Sequence, residues 1–356
     1  MSRFHNLTVS DIRRETPDCV SVALAVPEEL ATDFHFVQGQ YLTFRKELEG
    51  EEVRRSYSIC ASPADNELRI AVKKVPGGRF SSYANDQMQV GETLEVMKPM
   101  GRFYTQLDPA NANQYVAFAA GSGITPIMSI LRAVLQSEPK SQFTLFFGNK
   151  NIESIIFFEQ LEALKNEYMD RLRIFHILSR QMTDSPLFAG RIDAAKAAGF
   201  CKQLFDPAAV DAYFLCGPAV MIESVRNTLQ AQSVDPHKIH FELFAAPEEQ
   251  QKNKAVNWKP EKEVLANIEL IIDGTNFKFE LDSKSDTILD AALKGGADLP
   301  FACKGGVCCT CKAKVLSGDV AMEVNYALDP DEVEAGFVLT CQSHPLTESV
   351  KLTFDV

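Results

Sequence analysis

A chain of 356 residues with a formal net charge of −12, 24% charged and 46% hydrophobic residues is too long for one ordinary core and has the composition of globular domains. Its acidity excludes a protein that holds nucleic acid by neutralising phosphates, and no apolar run reaches the roughly 20 residues that cross a bilayer. Nine cysteines make an odd set, and the start, MSRFHNLTVSDIRRE, lacks the apolar core of a signal peptide. The sequence therefore predicts a cytoplasmic protein whose thiols stay reduced or bind metal, not a disulfide framework.

Residues 1–108 alternate apolar and polar over short runs such as YLTFRKEL, ELRIAVKKV and TLEVMKPMG, broken by turn residues. This predicts an antiparallel β-barrel or sandwich. Over residues 109–244 the pattern changes to apolar runs followed by helical periods, YVAFAA then PIMSILRAVLQ, FTLFFG then IIFFEQLEAL, and AYFLC then AVMIESVRNTLQ. These read as βα units of an α/β, Rossmann-like domain. Residues 245–264, AAPEEQQKNKAVNWKPEKEV, are polar and proline-bounded and read as a linker. In residues 265–356, IELIIDG and FKFELD read as a hairpin, TILDAALKGG as a short helix closed by glycine, and a cysteine-rich loop follows. This last segment carries 15 acidic residues against 7 lysines and no arginine, which fits either a solvated surface or a docking face for a basic partner.

The loop CKGGVCCTC packs four cysteines into nine residues. Cys303, Cys308 and Cys311 fit C-x4-C-x2-C and Cys341 supplies a distant fourth, the plant-type spacing of a [2Fe–2S] cluster. Gly305 and Gly306 suit a loop that needs positive φ and bare amides facing sulfur. A structural zinc site is the alternative, although such sites usually pair two C-x2-C motifs. Cys309 is left over and reads as a small buried thiol beside the cluster.

A one-electron centre cannot accept a hydride, so a source of single electrons belongs upstream. In RRSYS, Arg55 can pair with a diphosphate, Tyr57 can lie along an aromatic ring, and Ser58 can hydrogen-bond a ring nitrogen. In GGRFSSY, Gly77, Gly78 and Ser81 can offer bare amides and a hydroxyl at a helix start. In AAGSGITP, Gly121 and Gly123 follow a strand, with Thr125 expected to cap the next helix and Pro126 to open it, aiming the helix at a diphosphate. CGPAVM repeats this strand-to-helix geometry with Cys216, Gly217 and Pro218. Without a ligand, each motif alone would read as an ordinary strand, turn or core thiol.

The order R-x-Y-S, G-G-x-x-S, G-x-G-x-T-P, C-G-P-x-x-M resembles the ferredoxin–NADP reductase superfamily, and the tail resembles plant-type ferredoxin. Together the two resemblances span nearly the whole chain, in the layout of single-chain oxygenase reductases. They imply a C-terminal β-grasp domain, FAD rather than FMN, and electron transfer from NADPH through FAD and a [2Fe–2S] cluster to the oxygenase of a multicomponent complex, here a di-iron one. They also imply that Arg55, Tyr57 and Ser58 hold the flavin, Gly78 and Ser81 its diphosphate, and Gly121 with Thr125 the coenzyme diphosphate. Cys216 would lie near the transferred hydride, and Phe244 in FELF would border the flavin. Ser179 and Arg180 in HILSRQ match the family's pair for a 2′-phosphate, favouring NADPH over NADH. A reductase for another ring-hydroxylating or di-iron oxygenase, and a zinc-stabilised binding protein without catalysis, remain as rival readings.

Overall fold

The computed structural model describes residues 4–244 and 263–355, in two compact units that divide after Glu242. The first unit opens with an antiparallel sheet of β1 (Phe4–Thr16), β2 (Cys19–Ala25), β3 (Tyr41–Leu48), β4 (Glu51–Ser58), β5 (Leu68–Lys73) and β6 (Thr93–Met97), in the order β4-β3-β6-β1-β2-β5. Its inward residues, among them Leu7, Val9, Val22, Leu42, Phe44, Ile70 and Val96, form one core. Helix α1 (Arg79–Asp86) adds Phe80, Tyr83 and Ala84 to that core. The strands expected in YLTFRKEL, ELRIAVKKV and TLEVMKPMG are β3, β5 and β6, in the antiparallel sheet expected of residues 1–108.

The same unit continues as a parallel sheet of β7 (Gln114–Ala120), β8 (Gln142–Asn149), β9 (Leu172–Leu178), β10 (Ala212–Cys216) and β11 (Ile239–Glu242), in the order β11-β10-β7-β8-β9. The intervening helices are α2 (Ile124–Ser137), α3 (Phe158–Glu167), α4 (Ala194–Gln203) and α5 (Ala219–Ala231). Strands β7 and β10 are continuously apolar because helices cover both sheet faces. On one face Phe146 stacks on Phe118, Phe175 and Phe200, with centroids 4.9, 5.2 and 4.5 Å away. Helix α3 starts later than the apolar pattern suggests, because Phe157 sits in the left-handed region at φ 62°.

A hydroxyl on α2 helps to tie the two sheets together. Ser129 on α2 donates to the Ala61 carbonyl at 2.6 Å and accepts from the Gly39 amide at 3.3 Å. Arg132, one turn on, pairs with Asp65 at 2.9 Å.

The C-terminal unit is built on β12 (Leu265–Ile272) and β13 (Thr275–Asp282), a hairpin whose turn residues Asp273 and Gly274 both have positive φ, the geometry that Asp-Gly favours. Helix α6 (Ile288–Lys294) follows, its first turn capped by Thr287, which accepts from the Asp290 amide. Then come β14 (Lys312–Ser317), β15 (Val320–Met322), α7 (Pro330–Glu334), β16 (Phe337–Leu339), β17 (Ser343–Pro345) and β18 (Ser349–Thr353). The main sheet runs β13-β12-β18-β14-β16, with β15 and β17 as a separate pair. In β12 the pleat sends Ala266, Ile268 and Leu270 inward, and Val264 just before it is also buried in this core. Of the expected linker, residues 245–262 lie outside the described residues. No helix among the described residues is long and apolar enough to cross a membrane.

Candidate redox site

The parallel sheet sets the stage. Chain order reverses between β7 and β10, the kind of switch point where open α/β sheets bind ligands. Gly121 leaves β7 at φ 55°, in open space. A side-chain carbon on Gly123 would fall 2.1 Å from the Cys216 carbonyl oxygen, and one on Gly217 would meet Ala120 and Met221. Both glycines thus let the two turns close on each other.

The structure corrects the expected start of α2. A 3-10 turn over Gly121–Gly123 runs straight into the helix, so Ile124 is the first helical residue and Gly123 the cap. Thr125 is buried and its hydroxyl donates to the Ser122 carbonyl at 3.0 Å, so it does not cap the helix. Pro126 is the third helical residue rather than the first, still within the turn whose amides have no helical partner.

Cys216 ends β10 fully buried, and burial pushes its thiol well above the usual range. In register beside it is Glu242, the last residue of β11. Burial raises the Glu242 carboxyl to about 8, against the pull of the Ser58 hydroxyl, which donates to it at 3.2 Å. Glu242 was not singled out in the sequence, where FELF drew attention to its aromatic residue. Phe244 lies past β11 and is exposed.

On the flavin sheet, Ser58 closes β4 and is buried, while Tyr57 packs its ring on Phe80 with centroids 5.4 Å apart. Arg55 is exposed, its guanidinium donating to the Arg54 carbonyl. Gly77 takes φ 72° in open space and Gly78 caps α1. The Ser81 hydroxyl is engaged within this loop, accepting from the Val75 amide at 3.1 Å and donating to the Gly78 carbonyl at 3.2 Å. Its visible role is to shape the turn. Ser179, just past β9, donates to the Asn149 carbonyl at 3.1 Å, and the Arg180 amide donates to the Lys150 carbonyl, leaving the Arg180 side chain exposed.

In the C-terminal unit the four matched cysteines come together. The Cys308 thiol lies 3.1 Å from the Cys303 sulfur. Cys341 also hydrogen-bonds Cys303 and meets Cys311. The Gly305 amide donates to Cys303 at 3.3 Å and the Gln342 side-chain amide donates to Cys341 at 3.3 Å. Four sulfurs from two chain segments, with N–H donors aimed at them, form a donor set that fits a [2Fe–2S] group. Gly305 is not in the left-handed region, contrary to expectation. That conformation falls to Lys304 at φ 47° and Gly306 at φ 73°. Cys309 is half-buried and points elsewhere, donating to the Ala327 carbonyl at 3.2 Å. Gln342 had no motif to mark it; its only signal is adjacency to Cys341.

Fold and site define a class: a flavin- and iron–sulfur-containing oxidoreductase that uses a nicotinamide coenzyme. Family models match on all three parts, an oxidoreductase FAD-binding domain at residues 6–104, an oxidoreductase NAD-binding domain at 118–227 and a 2Fe-2S iron-sulfur cluster binding domain at 270–346. The chain is 44% identical over 355 residues to a subunit of 1,2-phenylacetyl-CoA epoxidase from Escherichia coli K12, covering 100% of this chain and 99% of that one. It is 33% identical to the ferredoxin reductase component of 3-ketosteroid-9-alpha-monooxygenase from Rhodococcus rhodochrous, covering 99% and 97%. Phthalate dioxygenase reductase shares the fold at a TM-score of 0.59 and 23% identity, over 99% of this chain and 98% of that one. The chain belongs to the family of this 1,2-phenylacetyl-CoA epoxidase component, in which FAD-, NAD- and 2Fe-2S-binding parts follow one another in a single chain.

Proposed function

We propose that the chain carries electrons from NADPH through FAD and the [2Fe–2S] cluster to the di-iron oxygenase component of a multicomponent enzyme that epoxidises the ring of phenylacetyl-CoA in the cytoplasm. The observation that carries this reading is the full-length, 44% identical relative of that name, aligned across all three domains. Bound FAD supplies the passage from two-electron hydride chemistry to single electrons, and the cluster supplies a one-electron carrier.

The chain's own residues have distinct tasks in this scheme. Tyr57 and Ser58 face the flavin ring, Arg55 and the amides of Gly77 and Gly78 hold its diphosphate, and Ser81 shapes that turn. Gly121 with the start of α2, including Gly123, Thr125 and Pro126, receives the coenzyme diphosphate. Ser179 and Arg180 receive the 2′-phosphate, because a guanidinium suits a dianion. Cys216, Gly217 and Pro218 border the nicotinamide. Cys303, Cys308, Cys311 and Cys341 ligate the two irons. The role of Phe244 at the flavin's border rests on the FELF resemblance alone. The domain limits that go with this reading are 1–108, 109–244 and 265–356.

Purified protein should contain two irons, two acid-labile sulfides and one FAD per chain, should bleach with NADPH, and should support phenylacetyl-CoA epoxidation when mixed with the oxygenase component. Four irons, bound zinc, or no epoxidation with a competent oxygenase would reject the proposal.

A further inference from the structure

Helix α2 carries three polar side chains that reach the same stretch of the flavin sheet. Ser129, Arg132 and Gln136 follow one another at spacings of three and four residues, which places them on one side of a helix. Ser129 is fully buried, and its hydroxyl is used in both directions: it donates to the Ala61 carbonyl at 2.6 Å and accepts from the Gly39 amide at 3.3 Å. Arg132 and Gln136 donate to one oxygen of Asp65 at 2.9 and 3.0 Å. The other Asp65 oxygen accepts from the Ser62 amide at 2.7 Å and closes the turn that follows Ala61.

The groups that Ser129 holds flank Ser58. In the β3–β4 register Ser58 pairs with Tyr41; Gly39 lies just before Tyr41, and Ala61 lies three residues after Ser58. The start of the same helix belongs to the other sheet. Gly123, the cap of α2, lies against the Cys216 carbonyl, Cys216 stands in register with Glu242, and Glu242 accepts from Ser58. The contacts close a circuit: Ser58 to Glu242, across β11 and β10 to Cys216, on to Gly123, along α2 to Ser129, and back through Ala61 to Ser58. A strand end tied at one hydrogen bond can pivot about it. Tied at Ser58 and again at Ala61, it is fixed.

We propose that Ser129 is a positioning residue for hydride transfer: it fixes the helix that starts at the coenzyme turn against the flavin strand end, so that donor and acceptor meet at reactive distance. In that step a carbon–hydrogen bond of the nicotinamide breaks, and the hydrogen moves with its electron pair to form a nitrogen–hydrogen bond on the flavin ring. NADPH is oxidised to NADP+ and the flavin is reduced by two electrons. Being fully buried, Ser129 acts through Ala61 and Gly39. The inference rests on the reading above that the coenzyme lies at the start of α2 and the flavin beside Ser58. A misplacement of about 1 Å can slow such a step by roughly a hundredfold, which is why a distant hydroxyl matters to it.

The test uses full-length protein loaded with FAD and cluster. Flavin reduction is followed by stopped flow at saturating NADPH, and again with NADPH deuterated at the transferred position. Ser129→Ala should slow reduction about tenfold or more and enlarge the primary isotope effect, because a longer donor–acceptor distance penalises the heavier nucleus. The dissociation constants of NADP+ and FAD should stay unchanged, and hydrogen exchange at the Gly39 amide should quicken. Ser129→Cys keeps the volume but weakens both hydrogen bonds; it should shift rate and isotope effect the same way by a smaller factor, and it decides the matter if the alanine variant does not fold. Thr228→Ala removes a buried hydroxyl bonded within α5 and should leave rate and isotope effect alone. An isotope effect equal to the parent's in the Ser129 variants, or equal slowing by Thr228→Ala, would remove Ser129 from positioning while NADPH still reduces the flavin. If NADPH does not reduce the parent's flavin, the reading beneath the inference fails and the inference falls with it.

Discussion

Ser58 and Glu242, 184 residues apart, are joined by a hydrogen bond of 3.2 Å from the serine hydroxyl to the carboxylate, fastening the end of a flavin-sheet strand to the end of the last parallel strand. Burial holds this carboxyl at about 8 against an ordinary 4.5. Between those values the folded state binds more protons than the unfolded chain, so stability is lost as pH rises through that window. Glu242→Gln should flatten that loss, and thermal midpoints of flavin-stripped protein between pH 5 and pH 9 would show it. A variant as steep as the parent would place the titration elsewhere.

The two turns at the switch point make different demands on their glycines. Gly123→Ala drives a methyl to 2.1 Å from a backbone oxygen, so overpacking should cost about 1–3 kcal/mol or more. Gly121→Ala meets open space and bears only the strain of a left-handed φ, roughly 1–2 kcal/mol. Urea unfolding followed by far-ultraviolet circular dichroism should rank Gly123→Ala as the more damaging change.

In the cluster loop, Cys308→Ala removes a sulfur that sits 3.1 Å from Cys303, whereas Cys309→Ala removes one that faces the Ala327 carbonyl. The first should abolish or severely weaken the visible cluster bands, and the second should leave them largely intact. Equal bleaching by the two variants would overturn the ligand assignment.

Arg180 stands exposed beyond β9, its amide bonded to the Lys150 carbonyl. Arg180→Ala should raise KM for NADPH by about tenfold or more and leave KM for NADH little changed, since a charge-assisted hydrogen bond is worth roughly 1.5–3 kcal/mol. Equal shifts in steady-state assays would remove Arg180 from the 2′-phosphate.

Local pattern made much of this molecule legible. The unbroken apolar runs of β7 and β10 announce a sheet covered on both faces, and in the C-terminal unit Asp273-Gly274 marks the β12–β13 hairpin by residue type alone. The four cysteines declare themselves by spacing. What pattern does not carry is proximity between distant segments. Glu242 is one acidic residue in an ordinary strand until β11 is placed beside β10, and Gly123 looks like any turn glycine until the Cys216 carbonyl is seen against it. Thr125 misled because a threonine before proline resembles a cap; the preceding 3-10 turn moved the helix start upstream.

Ser129 has a consequence for how the chain is made. Its hydroxyl serves Gly39 and Ala61, which leave the ribosome 90 and 68 residues before it. The barrel-like sheet therefore emerges with an amide and a carbonyl whose partner has yet to be synthesised, and it can complete its docking only after α2 appears. Nascent chains released before residue 137 should be more readily cut by protease around Gly39 and Ala61 than chains released after it. The flavin-binding half is in this sense finished by a helix from the half that follows.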